Sequence, residues 1–215
     1  MNRVEIKELA KQKIKGNKWN IIWPVLLITV VVSILEPVLG LIPKVDFNNM
    51  ESLVSYKISP VSAIIAFVLL ILVSIIMVAY QKYIMNFVRT GNFNSKDIIN
   101  CVKEKWLNIL VSSLLMGIIV GLCSMLLVVP GIIMAMAYAM VSYIVIDTNL
   151  NGVDSLKRSR EMMKGHKWEY FVFVLSFIGW QLLVPFTFGL LLIWLYPYMT
   201  VAECLYYEKL KEISK

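Results

Sequence analysis

Four side chains stand inside otherwise apolar stretches and are the groups best placed to bind an ion or a ligand: Glu36, Asp147, Tyr198 and Glu203. An ionisable residue at the centre of a membrane span costs about 2.5–3.5 kcal/mol on insertion scales, so such residues are retained for pairing or for function. Glu36 stands beside Pro37 and falls 18 residues after Lys18, a separation of about 27 Å along a helix. Asp147 and Glu203 lie near the ends of their stretches, where neighbouring basic segments can pair with them; an ion or substrate role is the sharper alternative. The run Tyr196-Pro197-Tyr198 places a proline where it frees a carbonyl for a ligand or for Thr200, so it is the best candidate for a functional kink. His166 is the single histidine, which excludes imidazole-based metal chemistry and leaves a turn residue as its ordinary role. No metalloprotease, nucleophile-elbow or phosphate-loop motif is present. The expectation is therefore no catalytic residue, no metal and no cofactor. A lipid-headgroup enzyme would require Asp147, Glu203 and His166 to converge on one pocket, since acid and base must reach a common substrate.

These residues are carried by a chain of 215 residues that is 59% hydrophobic and only 16% charged. Ordinary soluble domains are roughly 45–50% apolar and about 25% charged. Several stretches near 20 residues long carry no charge, the length needed to cross a bilayer as a helix. The composition predicts a polytopic membrane protein and excludes a soluble enzyme, a disulfide scaffold and a disordered chain. Cys101, Cys123 and Cys204 are widely spaced and form no metal or disulfide framework. The first apolar run follows a charged tail and ends without a small-residue cleavage pattern, which reads as a retained anchor.

Apolar runs at Trp19–Ile42, Val61–Tyr80, Trp106–Val129, Ile132–Ile146, Tyr170–Val184 and Phe186–Ala202 give six spans. Val129-Pro130-Gly131 and Val184-Pro185-Phe186 are so short that the spans they join must be antiparallel hairpins. Of the 21 lysines and arginines, all but Lys44 and Lys57 fall on one side of this topology. The positive-inside rule then puts both termini in the cytoplasm, against an anionic inner leaflet. The formal charge of +7 is read as topology and lipid contact, with no nucleic-acid partner.

A short basic amphipathic segment precedes each odd-numbered span. The first carries Ile6, Leu9, Ala10 and Ile14 as its stripe, with an Asn2/Glu5 capping box. The second offers Ile98, Ile99 and Val102. The third offers Val153, Leu156 and Met163, with Asp154/Arg158 and Lys157/Glu161 as charge pairs. All three are expected to lie flat on the inner leaflet, apolar side down. Two joints from segment to span nearly repeat: Gly16-Asn17-Lys18-Trp19 and Gly165-His166-Lys167-Trp168. Glycine accepts the left-handed cap, lysine snorkels to the headgroups and tryptophan sits at the boundary, so the chain turns from lying to spanning. Lys103-Glu104-Lys105-Trp106 is a degenerate copy without glycine. The architecture expected is an all-α polytopic bundle of six transmembrane helices in three hairpins. It forms one domain with repeat units at about 1–90, 91–147 and 148–215. Ser113, Gly117 and Gly121 in span three, and Ala135 and Ala139 in span four, recur every four residues and read as helix-packing faces.

Ser159 to Trp168, continuing through Leu175-Ser176-Phe177-Ile178-Gly179-Trp180, resembles the signature of a bacterial integral membrane family, domain of unknown function 975. So do Val129 to Ile133, Tyr138 to Asp147 and Gly16 to Trp19. The likeness implies a six-span cell-membrane protein and supplies no activity or catalytic residue. Ser142 stands where relatives often carry proline, which bears on a kink in span four. The residues thus point to a non-enzymatic protein that binds lipid, a membrane-active peptide or a membrane partner. A transporter or channel for a small solute or lipid is the alternative, resting on the repeat and the interrupted sixth span.

Overall fold

A computed structural model describes residues 3–38, 60–187 and 189–214, and every regular element among them is helical. In chain order these are α1 (Arg3–Ile14), α2 (Lys18–Val38), α3 (Pro60–Thr90), α4 (Lys96–Leu126), α5 (Val128–Ala137), α6 (Val141–Asp147) and α7 (Gly152–Met162). α8 (Lys167–Leu175), α9 (Ile178–Leu182), a 3₁₀ turn (Pro185–Thr187) and α10 (Leu190–Ile213) follow. Five helical stretches are long and apolar enough to cross a membrane, or six if α1 and α2 count as one bent pair.

The glycine corners form where the sequence puts them. α1 and α2 meet at 91°, with Gly16 at φ +97° and its counterpart Gly165 at φ +88° between α7 and α8. The following tryptophans, Trp19 and Trp168, point outward and are 71% and 72% exposed. The degenerate third copy makes no corner. α4 runs unbroken for 31 residues from Lys96 to Leu126, straight past Trp106, because no glycine stands at this joint to reverse the backbone. The expected separate surface segment at Ile98–Val102 is thus the first turns of a span.

The other two amphipathic segments also differ from expectation. Their apolar stripes are covered by the protein. Ile6, Ala10 and Ile14 are buried, and α1 packs chiefly along α10. The buried face of α7 is Gly152, Ser155, Leu156, Ser159 and Met162, whereas Val153 is exposed. It packs against α4 and α6, and the Ser159 hydroxyl donates to the Ala137 carbonyl at the end of α5. Its charge pairs are spaced by three residues, Asp154 with Lys157 and Arg158 with Glu161. Asn2 of the proposed capping box lies outside the described residues, and Glu5 pairs instead with Lys209 at 2.7 Å.

The turn between α4 and α5 is a single extended residue, Leu127 (φ −159°, ψ 140°). Pro130 and Gly131 therefore sit in the first turn of α5, where proline is tolerated because its missing N–H has no intrahelical acceptor. The fourth span divides at 138–140 into α5 and α6 although no proline stands there. The fifth divides at Ser176–Phe177, while α10 stays continuous through Pro197. The interruption expected at Tyr196–Tyr198 is absent: Thr200 makes an ordinary bond back to the Tyr196 carbonyl at 2.9 Å. Rings of α8–α9 and α10 pair in antiparallel order, Tyr170 with Tyr206, Phe177 with Tyr198 and Trp180 with Trp194.

Close helix approach occurs at glycines other than those the four-residue repeat suggests. A Cβ on Gly117 or Gly121 would meet nothing within 4 Å. One on Gly131 would overlap Ser124, whose Cα lies 2.9 Å away, and one on Gly152 would press on the α4 backbone at Ser112 N, 2.9 Å away. Ala135 and Ala139 are half-buried, and Ala139 packs on the core. Overpacking of this kind costs about 1–3 kcal/mol. Gly131→Ala and Gly152→Ala are accordingly expected to lower the thermal midpoint of the detergent-solubilised protein, while Gly117→Ala and Gly121→Ala leave it level or raise it. Equal effects at all four positions would refute this packing.

Candidate functional site

α3, α6 and α10 all end at the same end of the bundle, and there Asp147, the last residue of α6, is clasped from both sides. Its Oδ1 accepts from Arg89 of α3 at 2.6 Å. Its Oδ2 accepts from Lys211 at 2.6 Å and from the Tyr207 hydroxyl at 2.8 Å, both on α10. Arg89 extends the network by donating through Nε and Nη2 to Glu208 at 2.8 and 2.7 Å. The Asp147 side chain is 5% exposed while its partners are about a third exposed. A carboxylate at a helix C-terminus opposes the helix dipole, so the cations that face it are what hold it there. The pairing of Asp147 with basic segments is the ordinary one the sequence suggests.

Further lysines at this end donate to backbone carbonyls. Lys105 bonds the carbonyls of Val145, Ile146 and Thr148 at 3.1, 3.2 and 2.6 Å, and Lys82 bonds that of Ile146 at 3.2 Å. Lys13 bonds Val88, closing α3. Lys7 bonds the Ser176 carbonyl at 2.9 Å and lies 4.0 Å from the Phe177 ring, so it caps the break in the fifth span. Beside Asp147 a polar cavity of about 300 Å³ is lined by Lys82, Asp97, Asn100, Glu104 and Lys105 among others. These lysine roles are invisible in the sequence, where any lysine in a basic tail reads as solvated.

Glu203 behaves differently from Asp147. Among the described residues no cation pairs with it. Its one polar neighbour at hydrogen-bonding range is the Tyr143 hydroxyl at 3.4 Å, which is equally far from the Thr200 carbonyl. Tyr170 and Tyr196 also lie within electrostatic reach of the carboxylate. Part of its surface remains open. The two carboxylates are linked through rings: Tyr143, beside Glu203, stacks at 5.5 Å on Tyr207, which holds Asp147.

The remaining candidates do not join this centre. Tyr198 is buried against Phe177 and Trp194, a ring-packing role. His166 bonds Glu169 at 3.0 Å on the surface beside the Gly165 corner, as a turn residue would. Glu36 lies in the last turn of α2, and its side chain is outside the described residues.

A second opening lies toward the other end. The buried hydrophobic residues of α2 end at Val25, those of α4 at Ile109 and those of α8 and its continuation at Phe177, while those of α3 begin at Ile75 and those of α10 at Leu195. The far halves carry Leu27, Val30, Phe67, Leu70, Ile118 and Leu122 exposed. Between α2, α3 and α10 they leave an apolar crevice of about 350 Å³, lined by Val25, Thr29, Met77, Leu192, Ile193 and Tyr196.

An all-helical chain with five or six helices of this length and apolarity is compatible with a membrane protein. The chain belongs to the family described as protein of unknown function (DUF975), which matches residues 1–135 and 123–214. No curated protein and no solved structure matches it.

Removing Asp147 leaves Arg89 and Lys211 without the anion between them; breaking a fully buried pair costs about 3–5 kcal/mol, and the partial exposure of these two cations puts this one at the low end. Asp147→Ala is expected to destabilise by about 3 kcal/mol in denaturant titration, against less than about 1 kcal/mol for Glu208→Ala at the exposed edge. A loss at Asp147 no larger than at Glu208 would show that the clasp does not hold the three helices together.

Proposed function

We propose that this chain is a six-span protein of the bacterial cell membrane, with three hairpins and both termini cytoplasmic, that binds a membrane-borne amphiphile and catalyses no reaction. The basic end carries Arg89, Lys105 and Lys211, and the glycine corners with their exposed tryptophans sit at the starts of α2 and α8. That disposition supports an inner-leaflet position for this end. α3 and α4, at 31 residues each, extend about 46 Å, beyond the roughly 30 Å of hydrocarbon. Their extra turns carry the charges.

The observation that carries the binding role is the unequal packing of the two halves. The basic half is filled with rings and tied by ions, whereas the far half opens into the crevice between α2, α3 and α10. Ligand sites are typically concave, mostly apolar and of about 300–1,000 Å³ with a few polar groups. The crevice fits that description, with Thr29 and Tyr196 as its polar groups. It is open to the hydrocarbon side, so its ligand arrives from the bilayer.

A photoreactive alkyl diazirine alcohol in vesicles containing the protein tests this. Saturable labelling is expected at Val25, Met77 and Ile193, competed by excess decanol and lost in Ile193→Trp, which fills the space. Labelling spread evenly over exposed positions such as Ile118 and Leu122, with no competition, would refute the binding site. Robust solute flux from the same vesicles would favour transport instead.

A further inference from the structure

We propose that Glu203 is the seat for the ammonium group of an alkylammonium amphiphile whose chain occupies the crevice, an assignment that rests on the binding role above and names its ligand class. Leu192, Ile193, Tyr196, Thr200 and Glu203 succeed one another at spacings of one, three, four and three, so they share a face of α10. Leu192, Ile193 and Tyr196 line the crevice. Glu203 follows Tyr196 about two turns further along the same face, within its electrostatic reach. The crevice and the carboxylate are thus consecutive stations on one helix face, apolar first and anionic last.

Charge complementarity selects the head group. Asp147, the other carboxylate at the foot of these helices, has two cations. Glu203 has none among the described residues; the Tyr143 hydroxyl of α6 lies 3.4 Å from it, and the phenols of Tyr170 from α8 and Tyr196 on its own helix lie within electrostatic reach. A carboxylate removed from water requires a compensating charge or a proton. Phenol rings add attraction for an ammonium through their faces, and they offer an anionic head no positive charge to offset Glu203. A phosphate or sulfate amphiphile would meet Glu203 with like charge. An amine-headed chain meets an anion, aromatic faces and an apolar channel in the order of its own parts.

The test uses the whole protein in phosphatidylcholine nanodiscs, with decylammonium and decanol as probes in competition with the diazirine alcohol. Decylammonium is expected to compete about tenfold or more better than decanol, the difference one charge-assisted hydrogen bond makes. Glu203→Gln should abolish that preference while leaving decanol competition unchanged, Glu203→Asp should retain it, and Ile193→Trp should lose both probes. Equal competition by the two probes in the unaltered protein overturns the role of Glu203 and leaves the apolar site standing. So does a preference that survives Glu203→Gln. Failure of both probes to compete overturns the crevice as a binding site and this assignment with it.

Discussion

The Asp147 carboxylate sits where three helices terminate side by side, and each terminus presents unsatisfied carbonyls and the negative end of a dipole. Left alone, α3, α6 and α10 would repel at this end, and an added carboxylate would deepen the repulsion. Arg89 and Lys211 reverse the balance by placing two cations on the one anion. Lys105, Lys82 and Lys13 do the same for the free carbonyls of α6 and α3. Much of the chain's positive charge therefore has a local structural use. The inner-leaflet position proposed for this end would draw cations to the same place.

Once the basic half is tied, the amphipathic helices α1 and α7 have a surface to pack on. Their apolar faces are consumed by the bundle, and Lys7 reaches a broken helix from α1. Among the described residues the far half shows no such ties. Its helices expose Leu27, Phe67, Ile118 and Leu122 to whatever surrounds them, and the crevice is the space left where α2 and α10 diverge around Met77 and Tyr196. A site in the loosely tied half can admit a ligand without disturbing the ion-paired half, which keeps the scaffold intact while the crevice fills.

The corners at Gly16 and Gly165 were legible in the sequence because they depend on local chemistry: a left-handed backbone favours glycine and nothing distant is involved. The presence of five or six long apolar helices was legible for the same reason. What periodicity leaves open is what covers a face. The stripe Ile6, Ala10, Ile14 is equally suited to lipid and to α10, and the repeat at Gly117 and Gly121 permits a close approach that no neighbouring helix in the described chain makes. Gly131 and Gly152, which do meet other backbones, lie near turns and so read as turn residues. Proline misleads in the opposite sense at Pro197, where the remaining bonds of a long helix carry the chain through.

Asp147 and Glu203 illustrate the limit for site residues. Both stand near the basic end of an apolar stretch, and sequence alone treats them alike. Three-dimensional placement separates them: Asp147 is the terminal residue of its helix, where side chains from α3 and α10 reach it, whereas Glu203 lies one turn inside Tyr207 and faces only phenols. The stacked pair Tyr143 and Tyr207 stands between the two. A cation moved from Asp147 to Glu203 would leave Asp147 underpaired, so the clasp and the proposed ammonium seat would draw on different charges, the first on Arg89 and Lys211 and the second on a charge from outside the chain.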